Sequence, residues 1–124
     1  MFVGMDVSPY VEYHRSRIEA SRARRATARK QALQALETMQ PIFSSTPGLR
    51  RVYLFGSLGR DRFREDSDID LAVEGIGAEG CLRLHSQLSS MAPCDLDLVD
   101  LGDCGEAFTA FIRRYGRVIY ERCA

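Results

Sequence analysis

No apolar stretch in this chain of 124 residues approaches the ~18 needed to span a bilayer, and its first residues lack a basic segment followed by an apolar one. A membrane span and a secretory leader are therefore not expected, and the expected location is cytoplasmic. Cysteine is sparse: Cys81, Cys94, Cys104 and Cys123 lie ten or more residues apart, with no C-x-x-C pair and only two histidines in the chain. That spacing argues against a zinc site and against a dense disulfide framework, so the thiols are expected to be reduced. Internal repeats and low-complexity segments are also missing. At this length, with 45% hydrophobic residues, one core can be buried and a single domain is expected.

Net charge is zero, but the charges are segregated. Residues 14 to 30 carry Arg15, Arg17, Arg22, Arg24, Arg25, Arg29 and Lys30 against Glu19 alone, whereas residues 61 to 106 carry twelve acids and three arginines. The acidic part calls for cations. The basic segment reads first as a solvated helix face; contact with nucleic acid or an acidic partner is the other reading, although no aromatics interleave the arginines to make a specific RNA-binding signature.

Residues 52 to 73 organise the rest. The apolar run Val52 to Phe55 stops at Gly56-Ser57, and ten residues later Asp68-Ile69-Asp70 leads into a second run, Leu71 to Val73. Residues i and i+2 of a strand face the same way, so Asp68 and Asp70 share one side while Ile69 and Leu71 enter the core. Two carboxylates that close raise each other's pKa unless a cation sits between them, and hard oxygen ligands suit Mg²⁺ or Mn²⁺. Gly56, without a Cβ, lets a ligand approach the backbone, and Ser57 offers a hydroxyl and an N–H at a turn that opens a short helix. Downstream, Asp95, Asp97 and Asp100 are all candidates for a third carboxylate, with alternation putting Asp95 and Asp97 on one face.

Gly56-Ser57, ten residues, then Asp68-x-Asp70 resembles the signature of the minimal nucleotidyltransferases of the DNA polymerase beta superfamily, the kind that serve as antitoxins of HEPN-domain toxins. Arg51-Val-Tyr-Leu-Phe-Gly-Ser, Ser67-Asp-Ile-Asp-Leu, Asp95-Leu-Asp-Leu-Val-Asp-Leu and Gly116-Arg-Val-Ile-Tyr-Glu are similar to the family's pattern in the same order. The resemblance implies Asp68, Asp70 and Asp97 as ligands of two Mg²⁺ ions, Asp97 also as base on an acceptor hydroxyl. It further implies Gly56 and Ser57 at the β- and γ-phosphates of ATP, with Arg60 as an additional phosphate contact. Asp97 rather than Asp95 is the third carboxylate on this resemblance. The family turn usually reads Gly-Ser-x-Ala-Arg-Gly; here Gly59 stands for Ala and Asp61 for the last Gly, and an acid at that place is expected to repel phosphate mildly.

The expected fold is α/β (α+β): a long N-terminal helix and a small mixed sheet of about four strands covered by helices on one face, in the polymerase-beta-like arrangement. Residues 1–9 read as a loose arm and 10–124 as a single domain, with a helix over 10–43 and a catalytic core over 50–121. Pro41 and Ser44 to Gly48 are expected to end the first helix. Strands are expected at Arg51–Phe55, at about Ile69–Glu74, at Cys94–Leu101 and at Val118–Tyr120. Between them come a helix striped by Cys81, Leu84, His85, Leu88 and Met91, with His85 packed or hydrogen-bonded, and a final helix with Phe108, Phe111, Ile112 and Tyr115 on one stripe.

A domain this small leaves no second domain to hold an acceptor, so another macromolecule should bring it. The resemblance implies transfer of AMP from ATP to a hydroxyl of a HEPN RNase toxin. Two alternatives stand beside it: a binding module that neutralises its partner by covering it, and nucleotidyl transfer to a small molecule or RNA.

Overall fold

The structure, a computed structural model, describes residues 6–123. Most of the arm expected over residues 1–9 therefore lies outside the described residues. The chain runs α1 (Ser8–Ser45), β1 (Arg51–Phe55), α2 (Gly56–Gly59), β2 (Ile69–Glu74), α3 (Gly77–Ser89), β3 (Leu96–Asp100), a 3-10 turn (Leu101–Asp103), α4 (Glu106–Tyr115) and β4 (Arg117–Glu121). The four strands form one mixed sheet in the order β3-β2-β1-β4. β1 pairs antiparallel with both β2 and β4, while β2 and β3 run parallel, joined by the α3 crossover that parallel strands require.

Alternation along the strands builds two apolar layers. Val52, Leu54, Ile69, Leu71, Val73 and Leu96 point to one face, where they meet α1 through Leu36, Met39 and Phe43 and α3 through Leu84 and Leu88. The opposite face is thinner. There Tyr53, Ala72, Leu101 and Ile112 are buried, with Phe55, Val99 and Cys104 packed against them. α1 and α3 thus cover one face as expected, and α4 adds a partial cover on the other.

Pro41 does not end α1, which continues to Ser45. A proline in a helix interior loses one hydrogen bond and costs about 3 kcal/mol. Two flanking side chains, Met39 and Phe43, are fully buried, and each contributes about 1.5–3 kcal/mol. Gln40 Nε2 also donates to Ile119 O at 3.0 Å, tying this turn to β4. Packing on both sides of the proline outweighs its local cost. The helix stops four residues later, where Thr46 N–H bonds back to Phe43 O and the Thr46 hydroxyl to Ile42 O at 2.7 Å.

At about 1.5 Å per residue, the 38 residues of α1 extend about 57 Å. Residues 8 to 20 are exposed throughout, so the basic half of the helix projects beyond the sheet it serves. Its lower arginines do meet acids of the same chain: Arg24 Nε lies 3.2 Å from Glu65 Oε1 and Arg29 Nε 2.6 Å from Asp61 Oδ1. The acidic connector between α2 and β2 is thereby laid along the basic helix. Among the described residues no helix is long and apolar enough to cross a membrane.

Two further expectations are corrected by packing. β3 is shorter than Cys94–Leu101, because Asp100 turns the chain into the 3-10 turn, its carboxylate accepting from Gly102 N–H at 3.0 Å. In α4 only Ile112 of the expected stripe is buried; Phe108, Phe111 and Tyr115 stay exposed, since the sheet face beneath is narrow. His85 is half-buried with Nε2 2.8 Å from Leu96 O, the hydrogen-bonded role expected of it.

Candidate active site

The site lies on the thinner face, where the ends of β1, β2 and β3 come level. Asp70 is the register partner of Phe55 on β1 and of Asp97 on β3. Partners at one level of a sheet point to the same side, so Asp70 and Asp97 stand next to each other on the open face. Asp68, two residues earlier, faces the same side just before β2 begins. Asp95 sits outside β3; its carbonyl accepts from Ile69 N–H at 2.9 Å, which fixes the start of the β2–β3 pairing. Asp100 is committed to the turn it caps. The register therefore brings Asp97, of the three downstream acids, to Asp70.

Gly56 has φ +73°, a left-handed conformation that side chains with a Cβ adopt only at a cost. Space forbids a side chain there as well, because a Cβ would fall on Asp70 Oδ2. The turn thus lets the Asp70 carboxylate lie directly on the backbone of the Gly56-Ser57 step. Gly56 and Ser57 open α2, only four residues long, and their carbonyls accept from Arg60 N–H. Ser57 O also accepts from Arg62 N–H at 2.8 Å, which closes the turn. The N–H groups at the start of α2 have no partner within so short a helix. Arg60, at the end of α2, is exposed.

Asp61 has a conformation and a partner that the sequence reading did not assign. It adopts φ +60°, the conformation that a glycine takes without strain and that Asp tolerates better than most residues. Its carboxylate pairs with Arg29 of α1. The Arg29 Nε–H is close to Asp61 but not aimed at it, so the contact is an ion pair without a well-formed hydrogen bond. The acid is thereby tied to the helix. A sequence signal existed, since the family's glycine at this position marks a left-handed residue.

Burial raises the pKa of Asp70, and the charges of Asp97 and Asp68 raise it further. Among the described residues no three His, Cys, Asp or Glu side chains close around a point that could take a metal ion. The donor set nevertheless fits a hard divalent cation. Its atoms are all carboxylate oxygens, and the like charge gathered around Asp70 has no compensating cation among the ion pairs of the described residues.

Two features of the same face are absent from the sequence reading. Glu74, at the far end of β2, is buried with 6% exposure. Arg113 Nε of α4 lies 3.1 Å from its Oε1, the Tyr53 hydroxyl 3.5 Å from the same atom and Arg51 Nη1 4.0 Å from Oε2. This pair holds α4 over the sheet. Beside the acids, Phe108 of α4 meets Phe55 edge to face, with ring centroids 5.9 Å apart.

Residues 37–123 match the family "Polymerase beta, Nucleotidyltransferase". No curated protein matches the chain. Among solved structures, a toxin-antitoxin complex with AMP-PNP is similar at 25% identity and TM-score 0.56, over 76% of this chain and 73% of that one. The MntA-HepT toxin-antitoxin is similar at 25% identity and TM-score 0.54, over 74% of each chain. A complex from Shewanella oneidensis, a tri-AMPylated HEPN toxin with its MNT antitoxin, shares the fold at 23% identity and TM-score 0.57, over 73% of each chain. The family match, which spans the Gly56-Ser57 turn and both strands at which the acids stand, shows that this chain belongs to the polymerase beta nucleotidyltransferase family.

Proposed function

We propose that this protein transfers AMP from ATP to a hydroxyl of a partner protein, and that the partner is a HEPN RNase toxin which the transfer neutralises. The observation that carries the reading is the position of Asp70, on Gly56 and beside Asp97, with Asp68 on the same face. Two solved relatives support the rest. The one with AMP-PNP holds an ATP analogue, and the Shewanella oneidensis complex contains a toxin already carrying AMP. The pair would work in the cytoplasm.

Asp68, Asp70 and Asp97 would hold two Mg²⁺ ions, which when bound neutralise the triphosphate and lower the proton affinity of the acceptor oxygen. Gly56 and Ser57 hold the β- and γ-phosphates by backbone N–H and hydroxyl, and Arg60 adds a guanidinium on the same phosphates. The acceptor hydroxyl bonds to the α-phosphorus, the bond from that phosphorus to the bridging oxygen breaks, and pyrophosphate leaves. The acceptor proton passes to Asp97. The test is incubation with Mg²⁺, α-labelled ATP and the product of the neighbouring gene. Label on the partner with wild type and none with Asp68→Ala is expected; no label with either would refute transfer.

One observation favours a second reading, neutralisation by binding alone: the three carboxylates do not close into a finished metal cage. Rescue of a toxin-expressing cell by the Asp68→Ala/Asp70→Ala double variant at wild-type efficiency would establish it over catalysis.

A further inference from the structure

We propose that the exposed ring of Phe108, braced by Phe55, is the platform on which the base of the bound nucleotide stacks. This inference deepens the proposed function and rests on it. Phe55 is the last residue of β1, immediately before Gly56, and the register partner of Asp70. Same-face partners across an antiparallel pair have Cβ atoms about 4.5–5.5 Å apart, so the Phe55 ring begins beside the carboxylate assigned to the metals. Phe108 contacts that ring from α4 at 5.9 Å and 80°. Turn, carboxylates and aromatic pair are thus neighbours on one face, within the span of a nucleoside triphosphate.

The seating of α4 leaves this ring uncovered. Ile112, one turn further along, is fully buried and anchors the helix, and the Arg113–Glu74 ion pair fixes its rotation. Phe108 remains 38% exposed although it is large and apolar and lies against a half-buried ring. A half-covered aromatic with one side packed and the other open offers a base the stacking surface that water serves poorly. Phe111 and Tyr115 continue along the same helix, away from the carboxylates. Stacking is tolerant of base identity, since every base has a π-face. ATP and GTP are therefore expected to bind within a few-fold of each other, and purines more tightly than pyrimidines.

Calorimetric titration of the full chain with Mg²⁺·ATP and with Mg²⁺·tripolyphosphate tests the assignment. Phe108→Ala should weaken ATP binding about 5- to 100-fold and leave tripolyphosphate unchanged. Phe108→Leu, which keeps apolar contact with Phe55 but has no π-face, should weaken ATP similarly, whereas Phe108→Tyr should restore it. Equal weakening of both ligands would mean that Phe108 merely supports the fold, and unchanged ATP binding would mean that the base lies elsewhere; either overturns the proposal. If wild type binds tripolyphosphate and ATP equally well, the platform is refuted while the phosphate turn stands. If it binds neither, the proposed function falls with it.

Discussion

The carboxylate of Asp70 lies where a side chain on Gly56 would be. One end of β2 and the turn leaving β1 are therefore fitted to each other, and the Gly56-Ser57 turn and the acidic strand cannot be altered separately. Gly56→Ala places a Cβ at φ +73° and displaces Asp70. A loss of about 1–2 kcal/mol in urea unfolding is expected from the backbone alone, together with a fall in nucleotidyl transfer of at least about 100-fold, since misplacement by about 1 Å at a reacting centre costs that much.

Burial and the charges of Asp97 and Asp68 raise the Asp70 pKa, so the folded chain holds this proton to higher pH than the unfolded chain does. Stability then falls as pH rises through the window between the ordinary carboxylate range and the raised value, and the deficit persists at neutral pH. Asp70→Asn is expected to melt higher than wild type at pH 7 without divalent ions, and the gain should vanish below the ordinary carboxylate range. Mg²⁺ should raise the melting temperature of wild type more than that of the variant. Thermal scans from pH 3 to 8, with and without Mg²⁺, check both signs.

Arg113→Ala leaves Glu74 buried, with only the Tyr53 hydroxyl at 3.5 Å and Arg51 at 4.0 Å to satisfy it. A cost of about 1–3 kcal/mol is expected, toward the lower end because Arg113 is itself largely exposed. Removing both charges together, as Glu74→Leu/Arg113→Leu, should cost less than Arg113→Ala alone, because no buried charge is orphaned. Denaturant unfolding of the three variants decides this.

At Asp61 the left-handed backbone and the Arg29 ion pair oppose each other in a substitution. Asp61→Gly relieves the first and loses an exposed pair worth about 0–1 kcal/mol, so stability should change by less than about 1 kcal/mol. Asp61→Val keeps φ positive in a β-branched residue and should cost about 1–2 kcal/mol. Equal effects of the two would mean that the ion pair, and not the backbone, governs this position.

What was legible in the sequence was what local pattern dictates. β1 and β2 fall where unbroken apolar runs sit between Gly or Asp, and the Asp68–Asp70 pairing follows from the pleat alone. What was not legible depends on contacts distant in sequence. α1 passes through Pro41 because Met39 and Phe43 are held by strands that come later. β3 stops at Asp100 because that side chain caps a turn, although the apolar alternation runs on through Leu101. α4 buries Ile112 alone because the sheet face beneath it is narrow, which no helical stripe can report. The engagement of Asp61 by Arg29 joins residues 32 apart. At the site, spacing marked Asp68 and Asp70, the family resemblance chose Asp97 over Asp95, and the β2–β3 register sets Asp97 beside Asp70.

In the proposed reaction Asp68, Asp70 and Asp97 gather divalent ions opposite the Gly56-Ser57 turn. Anomalous scattering from a crystal grown with Mn²⁺ and AMP-PNP measures this most directly. Two Mn²⁺ peaks, both within ligand distance of Asp70 and one of them also of Asp97, with the β- and γ-phosphates on Gly56 and Ser57, are the predicted result. Mn²⁺ bound elsewhere, or AMP-PNP seated away from that turn, would contradict it.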